Sequence, residues 1–161
     1  MKSQLSRSAI YSLMFGFDAF VLDRVHKYYQ LNIEGWSGGE IVPVTDFFNY
    51  RLLWNPGVSY GFLIGVPQPV IMTMIGVALA LLGWWWWRDK SLLVRCGLAI
   101  ILGGAISNAL DRWLYGAVAD FFQFYIADWS FYVFNLADVA ITFGACLLIF
   151  DALRPKKERK V

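Results

Sequence analysis

Residues 103–144 read GGAISNALDRWLYGAVADFFQFYIADWSFYVFNLADVAITFG. An apolar run, Cys96 to Ala105, flows into Asn108, Asp111 and Arg112. A short aromatic segment then carries Asp120, and a second apolar run opens with Phe134-Asn135-Leu136-Ala137-Asp138 and continues through Leu148. Polar groups at the mouths of membrane spans are expensive to place, so they mark function. Two carboxylates there, Asp120 and Asp138, suggest chemistry on a shared proton.

The composition around this stretch agrees with a membrane protein. The 161 residues are 58% hydrophobic and 18% aromatic with 16% charge, and mean hydropathy is +0.51. That is far from the soluble average. A net charge of +2 gives no footprint for nucleic acid. Cys96 and Cys146 fall inside apolar runs and read as small buried hydrophobes. With them and a single histidine, His26, no metal site and no cofactor is expected.

The spacing predicts one membrane domain over 1–161 with transmembrane helices at about 8–28, 69–87, 92–112 and 134–153. An outer segment, 29–68, and an outer loop, 113–133, join them. Asp18 interrupts the first helix and must face other helices or water. At that helix's far end Asp23 and Lys27 are spaced for an i,i+4 ion pair, acid first. Within 29–68, Gly35-Trp36-Ser37-Gly38-Gly39 reads as a turn between short β-type runs such as Ile41–Val44 and Phe47–Tyr50. A Gly57-x-Ser59-x-Gly61 motif is present, but a nucleophile elbow needs a strand-turn-helix setting and a partnered histidine. Trp84–Trp87 form an interfacial aromatic belt, and Arg95 can snorkel toward the near surface. Ala99, Gly103 and Ser107, four apart, give a small-residue face for close helix packing.

Asn108-x-x-Asp111-Arg112, Gly116-x-Val118-x-Asp120-Phe121 and Phe134-Asn135-x-Ala137-Asp138, in this order, resemble the signature of lipoprotein signal peptidase (signal peptidase II), a family of bacterial inner-membrane aspartyl proteases. Asp23-x-x-x-Lys27 and Asn55-x-Gly57, the latter followed by Tyr60 where the family has Phe, are similar to its other motifs. Arg24, His26, Ser107 and Ser130 depart from it. The resemblance implies four transmembrane helices, with a small periplasmic β-containing segment between the first two. It implies Asp120 and Asp138 as the catalytic pair, supported by Asn55, Asn108, Arg112, Asn135, Asp23 and Lys27, with Asp111, Gly57 and Gly116 structural. The implied substrate is a lipid-modified prolipoprotein, cut before its lipidated cysteine, and membrane lipid surrounds the enzyme.

Charge places the motifs independently of any family. Four spans put both termini on one side, which then holds ten of the 14 Lys and Arg. Only Arg24, Lys27, Arg51 and Arg112 fall on the other. The positive-inside rule puts the termini in the cytoplasm. Asp23, Lys27, Asn55, Asn108, Asp111, Arg112, Asp120, Asn135 and Asp138 all then reach the outer leaflet, the convergence an active site requires. Plainer readings stand beside this one. Asp23–Lys27 also reads as an interfacial salt bridge, Asn55 as a turn residue before Pro-Gly, and Asn135 with Asp138 as a helix cap. A small ion-coupled transporter or a noncatalytic scaffold would use the same residues differently; transport sites, however, lie near the midplane.

Overall fold

The computed structural model describes residues 7–57 and 65–154. The six residues before Arg7, Ser59, Tyr60 and Gly61 of the Gly-x-Ser-x-Gly motif, and the basic tail after Arg154 lie outside the described residues. The elements run α1 (Arg7–Tyr28), β1 (Ile41–Thr45), β2 (Phe48–Asn55), α2 (Gln68–Arg88), α3 (Leu92–Tyr115), β3 (Val118–Ile126), β4 (Trp129–Ser130) and α4 (Leu136–Leu153). A π-helical turn, Tyr29–Ile33, extends α1.

Of the described helices, α2, α3 and α4 are long and apolar enough to cross a membrane. Their outward faces carry exposed side chains such as Val77, Leu81, Phe143 and Ile149, a surface suited to lipid rather than water. Helix α1 carries Arg7, Asp18, Asp23, Arg24 and Lys27, and it is not among the three. Asp18 lies in a shallow groove between α1 and α4, beside Leu22, Val139 and Phe143.

Helix α3 is central and packs against α1, α2 and α4. Small residues make this possible. A Cβ on Gly103 would collide with the carbonyl oxygen of Gly16, and one on Gly16 would lie 2.6 Å from that of Ala99. On the opposite side, a Cβ on Gly104 would sit 2.6 Å from the carbonyl oxygen of Ala137. The backbones thus approach too closely for larger side chains, the usual device of helices that cannot rely on the hydrophobic effect in lipid. Arg95 does not snorkel outward. It is buried, donating to the Asp89 carbonyl at 2.8 Å and to Ser8 Oγ at 3.1 Å, with its guanidinium 5.4 Å from the Trp86 ring. The loop and the start of α1 offer it acceptors that hydrocarbon does not.

The sheet is antiparallel in the order β1-β2-β3-β4. It reaches beyond the segment between the first two helices, because β3 and β4 come from the stretch read from sequence as the loop 113–133. The aromatic residues Phe121, Phe122, Phe124 and Tyr125 favour extended backbone, and β2 supplies the partner strand. Leu52, Ala119 and Phe121 are fully buried beneath the sheet, packed on Trp36, Tyr50 and Trp54. In the β2–β3 register Asn55 lies opposite Val118 and Leu53 opposite Asp120. Asn55 is therefore diagonal to Asp120, within side-chain reach.

Candidate active site

Three chain turns converge where the sheet meets the helices. Helix α3 ends at Gly116, whose φ of 75° is a left-handed conformation that favours glycine. The chain reverses there into β3, and Asp111 Oδ2 accepts the Ala119 N–H at 3.2 Å, which fixes the start of the strand. Asp120 follows, 1% exposed.

Helix α4 starts with a capping box. Asn135 Oδ1 accepts the Asp138 N–H at 2.9 Å, and Asp138 Oδ2 accepts the Asn135 N–H at 3.1 Å. The cap reading of these two residues is thus correct as far as it goes. Asn135 also does something a cap does not require: its Nδ2 donates to Asp120 Oδ1 at 2.6 Å.

The remaining carboxylate oxygens are held by two further amides. Asn55 Nδ2 donates to Asp120 Oδ2 at 3.1 Å, and its Oδ1 accepts the Gly57 N–H at 3.1 Å. Asn108 Nδ2 donates to Asp138 Oδ1 at 2.9 Å. Asn108 Oδ1 in turn accepts from Asn135 Nδ2 at 3.1 Å and from Lys27 Nζ at 3.0 Å. Each amide's orientation is set by what it accepts, so its donor end points at a carboxylate.

Behind them lies a buried ion cluster. Lys27 Nζ is 2.9 Å from Asp23 Oδ2 and 2.6 Å from Asp111 Oδ2. Arg24 Nη2 reaches Asp111 Oδ1 at 2.6 Å and Asp23 Oδ2 at 3.5 Å. Two acids and two bases thus balance. Asp23 further accepts from Ser107 Oγ at 2.6 Å and from the Ala137 N–H at 3.0 Å, which joins α1 to α3 and to the first turn of α4. Arg112 does not touch either carboxylate; it donates to the Gly57 carbonyl at 2.6 Å and to that of Asn108 at 3.3 Å.

A cavity of about 280 Å³ opens over the pair, lined by Asn55, Asn108, Arg112, Asp120 and Asp138, with Ile75 and Ile141 as apolar walls. Burial and the neighbouring charge of Asp138 push Asp120 up to about 7, against the opposing pull of the Asn55 and Asn135 hydrogen bonds and of Lys27. A carboxyl poised there can hold or release a proton near neutrality. Among the described residues no group of three or more His, Cys, Asp or Glu is placed to hold a metal.

Of the residues named from the motifs, Asn55, Asn108, Arg112, Val118, Asp120 and Asp138 line this cavity, and Asn135, Asp23, Lys27 and Asp111 are bonded to them or stand behind them, whereas Gly116 is an exposed turn residue. Sequence reasoning gave Ser107 only a helix-packing role and assigned none to Arg24 or His26, yet Ser107 and Arg24 bind Asp23 and Asp111. The His26 Nε2 and the Tyr50 hydroxyl share a hydrogen bond of 2.6 Å, and the ring packs on Phe121 and Phe122, tying the end of α1 to the sheet.

Comparison with known proteins places these features in a family. The profile described as Signal peptidase (SPase) II matches residues 16–154. The chain is 40% identical over 142 residues to a lipoprotein signal peptidase of Rhodopseudomonas palustris (strain TIE-1), covering 84% of this chain and 87% of that protein. It is 38% identical over 157 residues to one from Cupriavidus taiwanensis, covering 95% and 88%. A solved structure described as a bacterial membrane enzyme, obtained by the in meso method at 2.3 Å, superposes with a TM-score of 0.81 at 27% identity over 94% of each chain. A second, at 1.9 Å, gives 0.77 at 26% identity over 91% of this chain and 94% of that one.

Proposed function

Because this chain belongs to the signal peptidase II family of aspartic proteases, we propose that Asp120 and Asp138 are its catalytic pair. The protein is a bacterial multi-pass membrane protease that removes signal peptides from prolipoproteins. Membership of a protease family displaces the transporter and scaffold readings. The observation that carries the site assignment is the three-amide cradle: Asn55, Asn108 and Asn135 aim donors at two buried carboxylates that line one cavity.

In the reaction the pair holds one proton, since two adjacent buried carboxylates do not readily both ionise. Asp120 carries it. Asp138, at the positive end of α4, is the anion. A water between them gives a proton to Asp138 as its oxygen attacks the scissile carbonyl carbon, and Asp120 passes its proton to the carbonyl oxygen. Collapse of the tetrahedral species breaks the C–N bond, with the leaving amine taking a proton from Asp138 and Asp120 recovering its own. The products are the free carboxyl of the signal peptide and the amine of the lipidated cysteine. The Asn55, Asn108 and Asn135 amides fix the two carboxyls, and Arg112 braces the Asn55–Gly57 turn against the substrate backbone. The Asp23–Lys27 pair and Asp111 are the rigid support, and Gly57 and Gly116 supply the turns.

The whole chain, 1–161, is read as a single membrane domain. All four helices, α1 included, cross the bilayer, with both termini cytoplasmic and the sheet and site at the periplasmic face. The Lys and Arg distribution supports this. Membrane lipid is the solvent of the outer faces, and no nucleic acid or cofactor takes part. The decisive experiment incubates purified protein with a diacylglyceryl-modified prolipoprotein and follows the mass shift. Wild type cleaves before the modified cysteine; Asp120→Asn and Asp138→Asn, each folded and membrane-inserted, leave the substrate intact. Turnover by either variant would falsify the paired-carboxylate mechanism.

A further inference from the structure

We propose that the groove on the outer face of α4, beside Phe131, Tyr132 and Phe134 in the link from β4 to that helix, holds an acyl chain of the substrate's lipidated cysteine. The proposal rests on the protease reading above and specifies how that site handles lipid. Cleavage before a lipidated cysteine imposes a geometric demand. The signal sequence leaves the scissile bond through its carbonyl side, whereas the lipid leaves through the sulfur of the next residue. Two apolar parts therefore diverge from one reacting carbon, and the enzyme needs two exits that meet at the carboxylates.

Two cavities do meet there. The first, with Asn55, Asn108 and Arg112, offers polar groups for a peptide backbone between the apolar walls Ile75 and Ile141. The second, of about 410 Å³, shares only Tyr132, Asp138 and Thr142 with it. Its other walls are Phe131, Phe134, Val139, Phe143 and Cys146. Asp138, Thr142 and Cys146 are four apart, and so are Val139 and Phe143, so the groove follows one face of α4. From Asp138 to Cys146 it descends about 12 Å along the helix axis at about 1.5 Å per residue. That direction is the one an acyl chain takes in a bilayer. Apart from Asp138, the wall offers a peptide backbone little beyond the Tyr132 and Thr142 hydroxyls, whereas a hydrocarbon chain needs no polar partner.

The test uses a synthetic prolipoprotein peptide whose cysteine carries a diacylglyceryl group with a diazirine in one acyl chain. It is bound to Asp120→Asn, which traps it uncut, in nanodiscs. Irradiation followed by peptide mass spectrometry is expected to place adducts within 139–146. A phosphatidylglycerol carrying the same diazirine, without substrate, is expected to label that segment at least tenfold less. In parallel, Cys146→Trp fills the groove about 12 Å along the helix axis from Asp138. It should raise KM for the diacylglyceryl peptide tenfold or more with little change in kcat, whereas Ile149→Trp, exposed farther along the same helix, should do neither. Adducts elsewhere, while wild type cleaves the same peptide, overturn the groove assignment and leave the protease reading standing. Equal labelling by the phospholipid also overturns it, since the groove is then a general lipid site. Failure of wild type to cleave the peptide overturns both.

Discussion

The side-chain amide of Asn135 donates to Asp120 Oδ1 across 2.6 Å. The other end of the same amide caps α4 through the Asp138 N–H, so one side chain sets the helix start and addresses a carboxyl on a neighbouring strand. Asn135→Ser separates these tasks. Serine is nearly as good a cap as asparagine, but it has no amide donor for Asp120. The expected result is cleavage slowed tenfold or more, equivalent to about 1.4 kcal/mol in the transition state, with a melting temperature close to wild type. Wild-type activity in this variant would reduce Asn135 to a cap.

The same hydrogen bond has a signature in pH. Asp120 sits at about 7, so the shared proton is present below that value and lost above it. A kcat/KM profile, which reports the free enzyme, should therefore fall on the alkaline side with a midpoint near 7. The Asn135 bond favours the charged form of Asp120 and pulls its pKa down, so Asn135→Ser should move the limb upward. A downward shift contradicts the assignment. Stability follows the same sign: folded Asp120 binds its proton more tightly than the ordinary carboxyl at 3.8. Its contribution therefore falls as pH rises from about 4 through about 7.

The apolar runs were legible because hydrocarbon thickness dictates their length, and the site's residue types were legible because a polar group at a span's mouth is costly. What sequence could not show was pairing across distance. Asn55 meets Asp120 over 65 positions through the β2–β3 register, and β3 itself is hidden in a loop whose aromatic pattern does not alternate cleanly. Ser107 and Arg24 looked like departures because their partners, Asp23 and Asp111, lie 84 and 87 positions away on neighbouring helices. Arg95 looked like a snorkelling residue because nothing local announces the acceptors at Asp89 and Ser8.

Topology is open to direct measurement. In a protein with Cys96 and Cys146 replaced by alanine, Ser37→Cys should react with an impermeant maleimide added to intact spheroplasts. Ser37 is exposed beside the sheet. Lys90→Cys, exposed in the α2–α3 loop, should react only after lysis; it is a better reporter than Ser91, which caps α3. Labelling of position 90 from outside would reverse the orientation and remove the site from the periplasmic face.

The ion cluster makes the last prediction, because its two bases are not equivalent. Lys27, with a side chain 2% exposed, serves Asp23, Asp111 and Asn108 at once. Arg24, 19% exposed, makes one short contact, to Asp111. Lys27→Met leaves two fully buried carboxylates facing Arg24 alone. Breaking a buried pair from one side costs roughly 3–5 kcal/mol. Arg24→Met leaves both acids on Lys27 and should cost about 1.5–3 kcal/mol, the worth of one charged hydrogen bond. Activity should diverge further. Without Lys27 the Asn108 carbonyl keeps only the Asn135 amide as donor, so the amide pointing at Asp138 is held less firmly, and kcat should fall even where the variant remains folded. Arg24→Met, which leaves the Lys27–Asn108 bond in place, should retain most of wild-type kcat at a temperature below its melting point. Equal melting losses and equal kcat losses from the two variants would mean that charge count, rather than the path from Lys27 through Asn108 to Asp138, governs the site.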